Sequence, residues 1–312
     1  MTAFILMRNK IFWRIFFLSP PLIVFSIFVL IPLINSFYYG FTNWNGFNTD
    51  YDFVGLENYT RIASDNLFQN SIINTVIWLI SAILIPTILG LLLALLIDSQ
   101  VRGSNFFKSI FYLPICLSAV VVGQIWIWIY QQEWGLLNTI INLFRENNFE
   151  YAWLSKPDSS LYSVIIAWSW QQTALSMVIY LAGLTSIPKN LLEASQIEGA
   201  NIIQRTFFIV IPLLIPATII VVALSMINSL KGFDILYIMT EGGPFHSSDT
   251  LAMHMYNESF RKYRMGYGSA ISVVLFLIAV TIIGIYFRPV SYTHLRAHET
   301  EAELVCRLLL EK

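Results

Sequence analysis

His246, Asp249, His254 and Glu258 are the only ionisable side chains of this sequence grouped closely enough to converge on a substrate or a metal ion. Their spacings of 3, 5 and 4 match no recognised metal motif, so a solvated loop is expected there, with no catalytic residue and no metal. Cys116 and Cys306 cannot build a disulfide framework, and no zinc spacing is present. No Gly-x-x-x-x-Gly-Lys-[Ser/Thr] signature occurs, so any work done with a nucleoside triphosphate must be done by a partner. Neutral polar residues inside apolar runs are the other candidates. Asn74, Gln171, Gln172, Ser225 and Asn228 can line a path for a polar solute or can tie helices together, and for any single one the tying role carries more weight.

The stretch from Ser186 to Pro216 is the most informative. Pro188 suits the first turn of a helix, where its missing N–H is no loss. Leu191, Leu192, Ala194, Ser195 and Ile197 give that helix a small apolar surface, and Gly199 suits a left-handed turn that stops it. A second helix can start near Asn201. The expected product is a helix–Gly–helix elbow along a membrane face, with an apolar knob suited to a partner's groove.

The surroundings must be lipid. Of 312 residues, 56% are hydrophobic and 12% charged, against roughly 25% charged in soluble domains. A net charge of −1 excludes a basic nucleic-acid surface. Six apolar segments reach the length of about 20 residues that a bilayer requires: Ile15–Tyr38, Ser71–Ile97, Ser109–Tyr130, Leu161–Ile187, Phe207–Leu230 and Met265–Phe287. The fold class expected is therefore an all-α polytopic membrane protein with six transmembrane helices, kinked where prolines fall inside them. The first segment is too long for a signal peptide and lacks a cleavage site, so it is expected to be retained. Arg8, Lys10 and Arg14 precede it and only Arg61 lies in the loop after it, which places both termini in the cytoplasm. The outer loops are then Tyr39–Asn70, Gln131–Ser160 and Lys231–Arg264, and Trp44, Trp126, Trp128, Trp134 and Trp153 are expected at membrane interfaces.

Composition changes abruptly after Arg288. Residues 290–300 and 304–312 resemble one reading frame of a sequencing adapter, with Glu301, Ala302 and Glu303 as its index. The segment 290–312 is expected to be non-native, leaving a permease domain of residues 1–289.

The loop residues resemble the EAA loop of binding-protein-dependent ABC import permeases. That pattern is Glu-Ala-Ala, three residues, Gly, nine residues, Ile-x-Leu-Pro. Glu193, Ala194, Gly199, Ile209 and Pro212 match it in spacing, whereas Ser195, Ile211 and Glu198 are mild departures. Phe53-Val54-Gly55-Leu56-Glu57-Asn58-Tyr59, Leu113-Pro114, Glu133 to Asn138, Tyr180 to Leu184, Ser229 to Asp234, Met239 to Pro244 and Gly266 to Ala270 are similar to carbohydrate-importer permeases of the MalF and UgpA type. The resemblance implies a bacterial inner-membrane permease with a cytoplasmic coupling loop between its fourth and fifth helices. It implies alternating access, with a second permease, a cytoplasmic ABC ATPase dimer holding ATP and Mg, and an extracytoplasmic solute-binding protein as partners. The chain itself would bind no cofactor. Leu191, Leu192, Glu193, Ala194, Ser195, Ile197, Glu198, Gly199 and Ala200 would contact the ATPase. The solute would be a sugar, or alternatively a non-sugar such as glycerol-3-phosphate. An ion-coupled secondary transporter is the rival class; no Asp, Glu or His lies mid-span to relay protons, although sodium sites can do without them. A membrane enzyme would have to use the His246 to Glu258 cluster.

Overall fold

The computed structural model describes the backbone of residues 2–98, 104–145 and 149–310, and the side chains of 12–98, 106–145 and 149–288. The side chains of the tail expected to be non-native, of Arg8, Lys10 and Arg102, and of Cys306 lie outside these. The described chain is helical, with one isolated antiparallel bridge between Thr42 and Phe53. Phe12–Tyr39, Asn66–Asp98, Pro157–Thr185 and Met265–Arg288 are each long and apolar enough to cross a bilayer. Two further spans are bent pairs: Phe106–Cys116 with Ala119–Ile129 at 106°, and Ile202–Leu213 with Ile215–Leu230 at 64°. Counting each pair as one gives six.

The third span therefore departs from the continuous helix expected over Ser109–Tyr130. Pro114 removes a backbone donor, and Leu113–Cys116 tightens into a 3₁₀ turn. Leu117 and Ser118 are extended, and Ser118 Oγ caps the next helix at Val121 N–H. The carbonyl of Leu117 accepts a hydrogen bond from Gln171 Nε2 at 2.7 Å. The fifth span turns at Leu214, between Pro212 and Pro216, after a π-helical turn over Thr206–Val210.

The chain divides into two compact units. One comprises residues 1–65 and 255–275. Its polar centre is Asn58, whose Nδ2 donates to the carbonyls of Gly40 and Thr42. Gly266 N–H donates to the Trp44 carbonyl. Tyr267 Oη donates to Asp65 Oδ2 at 2.7 Å, with the Arg61 guanidinium 4.4 Å above the Tyr267 ring. Buried Glu258 is held by Lys262 at 2.6 Å and Arg264 at 3.4 Å.

The other unit comprises residues 66–254 and 276–312. The second and fourth spans form its centre. They approach so closely at Gly90 that a Cβ there would lie 2.5 Å from that of Ser176. One apolar cluster surrounds Trp78, Trp168 and Leu236. A second gathers Ala94, Met177, Tyr180, Leu184, Leu214 and Val221 from the second, fourth and fifth spans. Trp126 and Trp153 are half-buried against the first cluster, and Trp153 Nε1 donates to Asn138 Oδ1. Trp128 and Trp134 are exposed.

Candidate coupling elbow, polar pairs and outer loop

The elbow begins with the helix Lys189–Ile197, for which Pro188 is the cap, one place before the first turn where it was expected. The helix ends through two backbone bonds, Ala200 N–H to Ser195 O and Gly199 N–H to Gln196 O, with Gly199 at φ +85°. These are the paired bonds of a Schellman termination, which needs a left-handed residue at that place. The chain turns at once into a second helix, Ile202–Arg205. Asn201 caps it, accepting from Gln204 N–H while Gln204 Oε1 accepts from Asn201 N–H. The Asn-x-x-Gln spelling of this reciprocal box was legible in the sequence and was missed.

The elbow has two faces. Leu191, Glu193, Ala194, Ile197 and Glu198 are exposed, Ile197 by 88%. Leu192 and Ser195, expected on the partner-facing knob, turn the other way. Leu192 packs on the second apolar cluster, and Ser195 is buried with its hydroxyl donating to Leu192 O. A period of three to four residues allots Leu192 and Ser195 to one side of a helix and Leu191, Ala194 and Ile197 to the other. Ile202 and Ile203, just past the turn, are exposed as well.

The five candidate path residues separate. Asn228 Nδ2 donates to Gln172 Oε1 at 3.3 Å, joining the fifth and fourth spans. Gln171, adjacent in sequence, is used at the break of the third span. Asn74 donates to the carbonyls of Ser247 and Asp249, and Ser225 is buried in the fifth span. Only Gln172 and Asn228 are brought together. A separate cleft of about 540 Å³, walled by Leu89, Phe111, Trp126, Ile166 and Trp170 among others, opens beside the broken third span.

The loop after the fifth span corrects the expectation of solvated ionisable groups. Asp249 and His254 are buried completely. His246 Nδ1 lies 2.6 Å from Asp249 Oδ2. Among the described residues, no three His, Cys, Asp or Glu side chains gather to hold a metal ion. The loop is fastened to the second span by Asn70, which donates to His246 O, by Asn74, and by Thr75, which accepts from Leu251 N–H. It is fastened to the fourth by Ser160, whose hydroxyl lies 2.9 Å from that of Ser247. The sequence held one clue to this fastening: Asn70 and Asn74 stand one helical turn apart at the start of an apolar run.

Residues 86–296 match a family model described as "Binding-protein-dependent transport system inner membrane component". The chain is 37% identical over 269 residues to a "Probable ABC transporter permease protein" of Pyrococcus horikoshii, covering 86% of this chain and 92% of the relative. It is 34% identical over 281 residues to the xylose/arabinose import permease protein XacH of Haloferax volcanii, covering 89% and 86%. Its fold is similar to that of a chain in a bacterial alginate ABC transporter crystallised with an alginate pentasaccharide-bound periplasmic protein. The TM-score is 0.79 at 20% identity, with 91% of this chain and 96% of that one covered.

Proposed function

The chain belongs to the family of binding-protein-dependent transport system inner membrane components, and from that premise we propose that it is one of two permeases enclosing a path for a sugar, driven through the elbow at Leu191–Ala200. It is a membrane permease subunit of an ABC importer. The sugar assignment rests on likeness to relatives such as the pentose importer's permease, and on the neutral polar pair Gln172–Asn228 between spans. ATP is hydrolysed by a cytoplasmic ATPase dimer, and an extracytoplasmic binding protein delivers the solute. Both termini lie in the cytoplasm.

The observation that carries the coupling role is the two-faced elbow. Ile197 and Leu191 project outward while Leu192 is seated among side chains of the second, fourth and fifth spans. A push on the outer face is thus passed into the bundle by packed side chains, since close-packed interiors transmit displacement. The bend at Leu214 lies within the same cluster, so the fifth span can pivot there as the ATPases close.

The test is reconstitution with a second permease, an ATPase and a binding protein from the same organism. Sugar-dependent ATPase stimulation and uptake are expected. Uptake that persists without ATP and collapses with an ionophore would refute the reading in favour of an ion-coupled transporter.

A further inference from the structure

The loop Glu241 to His246 presents one aromatic side chain in a manner the transport path does not require. Phe245 is 91% exposed. Its φ is +51° and that of His246 is +62°, while Glu241, at the other end of the loop, has φ +52°. Side chains rarely adopt this left-handed region because Cβ crowds the carbonyl oxygen, and such strain persists only where the surroundings over-determine it. Here they do. Asn70 holds His246 O, Asn74 holds Ser247 O and Asp249 O, and Ser248 Oγ donates to Gly243 O. Buried Asp249 fixes the His246 ring. A strained, cross-linked backbone that ends in a bare phenyl ring is arranged to hold the ring outward.

We propose that Phe245 is a pre-set docking anchor for an apolar pocket on the extracytoplasmic solute-binding protein. This rests on the importer reading above. The loop is tied to Ser160, in the first turn of the helix Pro157–Thr185, and the elbow follows the last turn of that same helix. At about 1.5 Å per residue these 29 residues separate the two sites by the thickness of a bilayer. A partner on the loop's side is therefore on the face opposite the ATPase. A ring dipping into lipid gains nothing from a fixed backbone, because any rotamer finds hydrocarbon. A ring entering a shaped pocket does gain, because the ordering cost of binding has already been met in the free protein. Rigid aromatic residues at a protein interface are typical energetic centres.

The experiment uses the complete importer in nanodiscs, titrated with its sugar-loaded binding protein while ATPase activity is followed. Phe245→Ala is expected to raise the half-saturating binding-protein concentration at least tenfold, equivalent to about 1.4 kcal/mol. Phe245→Tyr, which keeps the ring, should stay within about threefold of wild type on the same scale. Basal ATPase activity and recovery of the second permease should not change. An unchanged half-saturating concentration for Phe245→Ala overturns the anchor. Loss of the second permease from the purified Phe245→Ala complex overturns it in favour of a contact between permeases. An effect that appears or vanishes with nanodisc lipid composition overturns it in favour of membrane insertion. A wild-type complex that does not respond to the binding protein removes the importer reading, and the anchor with it.

Discussion

The backbone N–H of Ala200 donates to the carbonyl of Ser195 at 3.0 Å, across the turn that joins the two arms of the elbow. That bond exists because Gly199, between them, takes φ +85°. It leads the chain out of one helix and directly into the Asn201 cap of the next. The angle between the arms is thus set by local hydrogen bonds and by one residue's conformation.

A Cβ built on Gly199 meets nothing within 4 Å, so any penalty for substitution there is a backbone penalty. Gly199→Val should cost about 1–2 kcal/mol at the turn, and Gly199→Asn much less. Sugar-stimulated ATPase activity should fall sharply for the valine variant and little for the asparagine one, with similar amounts of folded complex. Equal activities would show that the turn conformation does not govern coupling.

The two faces of the elbow call for opposite outcomes. Ile197→Asp places a charge where Ile197 is already solvated, so the chain should remain as stable as wild type while it loses the ATPase subunit on purification. Leu192→Asp puts an unpaired charge against the second apolar cluster and should destabilise the chain itself by about 3 kcal/mol or more. Thermal unfolding of the isolated chain, set beside co-purification of the ATPase, separates the two. A stable Leu192→Asp chain would mean the residue is not seated in the bundle.

The number and order of the spans were legible because a bilayer demands long apolar runs, and these stand out whatever the tertiary packing. Gly199 was legible because a left-handed position selects for glycine. The break in the third span was not. Leu113, Pro114 and Leu117 read as an apolar run with a tolerated proline, and the donor that makes an extended carbonyl acceptable there, Gln171, comes from a helix far away in sequence. The burial of Asp249 was hidden for a similar reason: its setting is made by Asn74, a distant residue that itself read as a path candidate.

Asn74 supplies a stability prediction. Its amide is the donor for two carbonyls, that of Ser247 at 3.0 Å in a half-buried setting and that of Asp249 at 2.8 Å in a buried one. Asn74→Leu leaves both acceptors without it, at about 1–3 kcal/mol for the buried Asp249 carbonyl and less for the half-buried Ser247 one. A lower unfolding temperature and faster proteolysis within residues 241–250 should follow. An unchanged cleavage pattern would mean that Asn74 does not fasten this loop.

Gln171 and Gln172 are neighbours in sequence with different duties, and this yields a paired prediction. Gln171 Nε2 serves the Leu117 carbonyl at the broken span through a bond of 2.7 Å. Gln171→Leu should therefore lower stability by about 1–3 kcal/mol, with transport reduced in proportion to the loss of folded protein. Gln172 meets Asn228 through a single bond of 3.3 Å between half-buried side chains. So long a bond contributes at most about 0.5–1 kcal/mol, and Gln172→Ala should hardly move the unfolding temperature. If the pair faces the solute, Gln172→Ala and Asn228→Ala should each cut uptake per folded complex about tenfold or more, a transition-state loss near 1.4 kcal/mol. The double variant should fall short of the product of the two effects, because residues that share one ligand group do not act independently. Uptake per folded complex at the wild-type level in both single variants would reduce the pair to a tie between helices and would move the search for the path to the cleft beside Trp126 and Trp170.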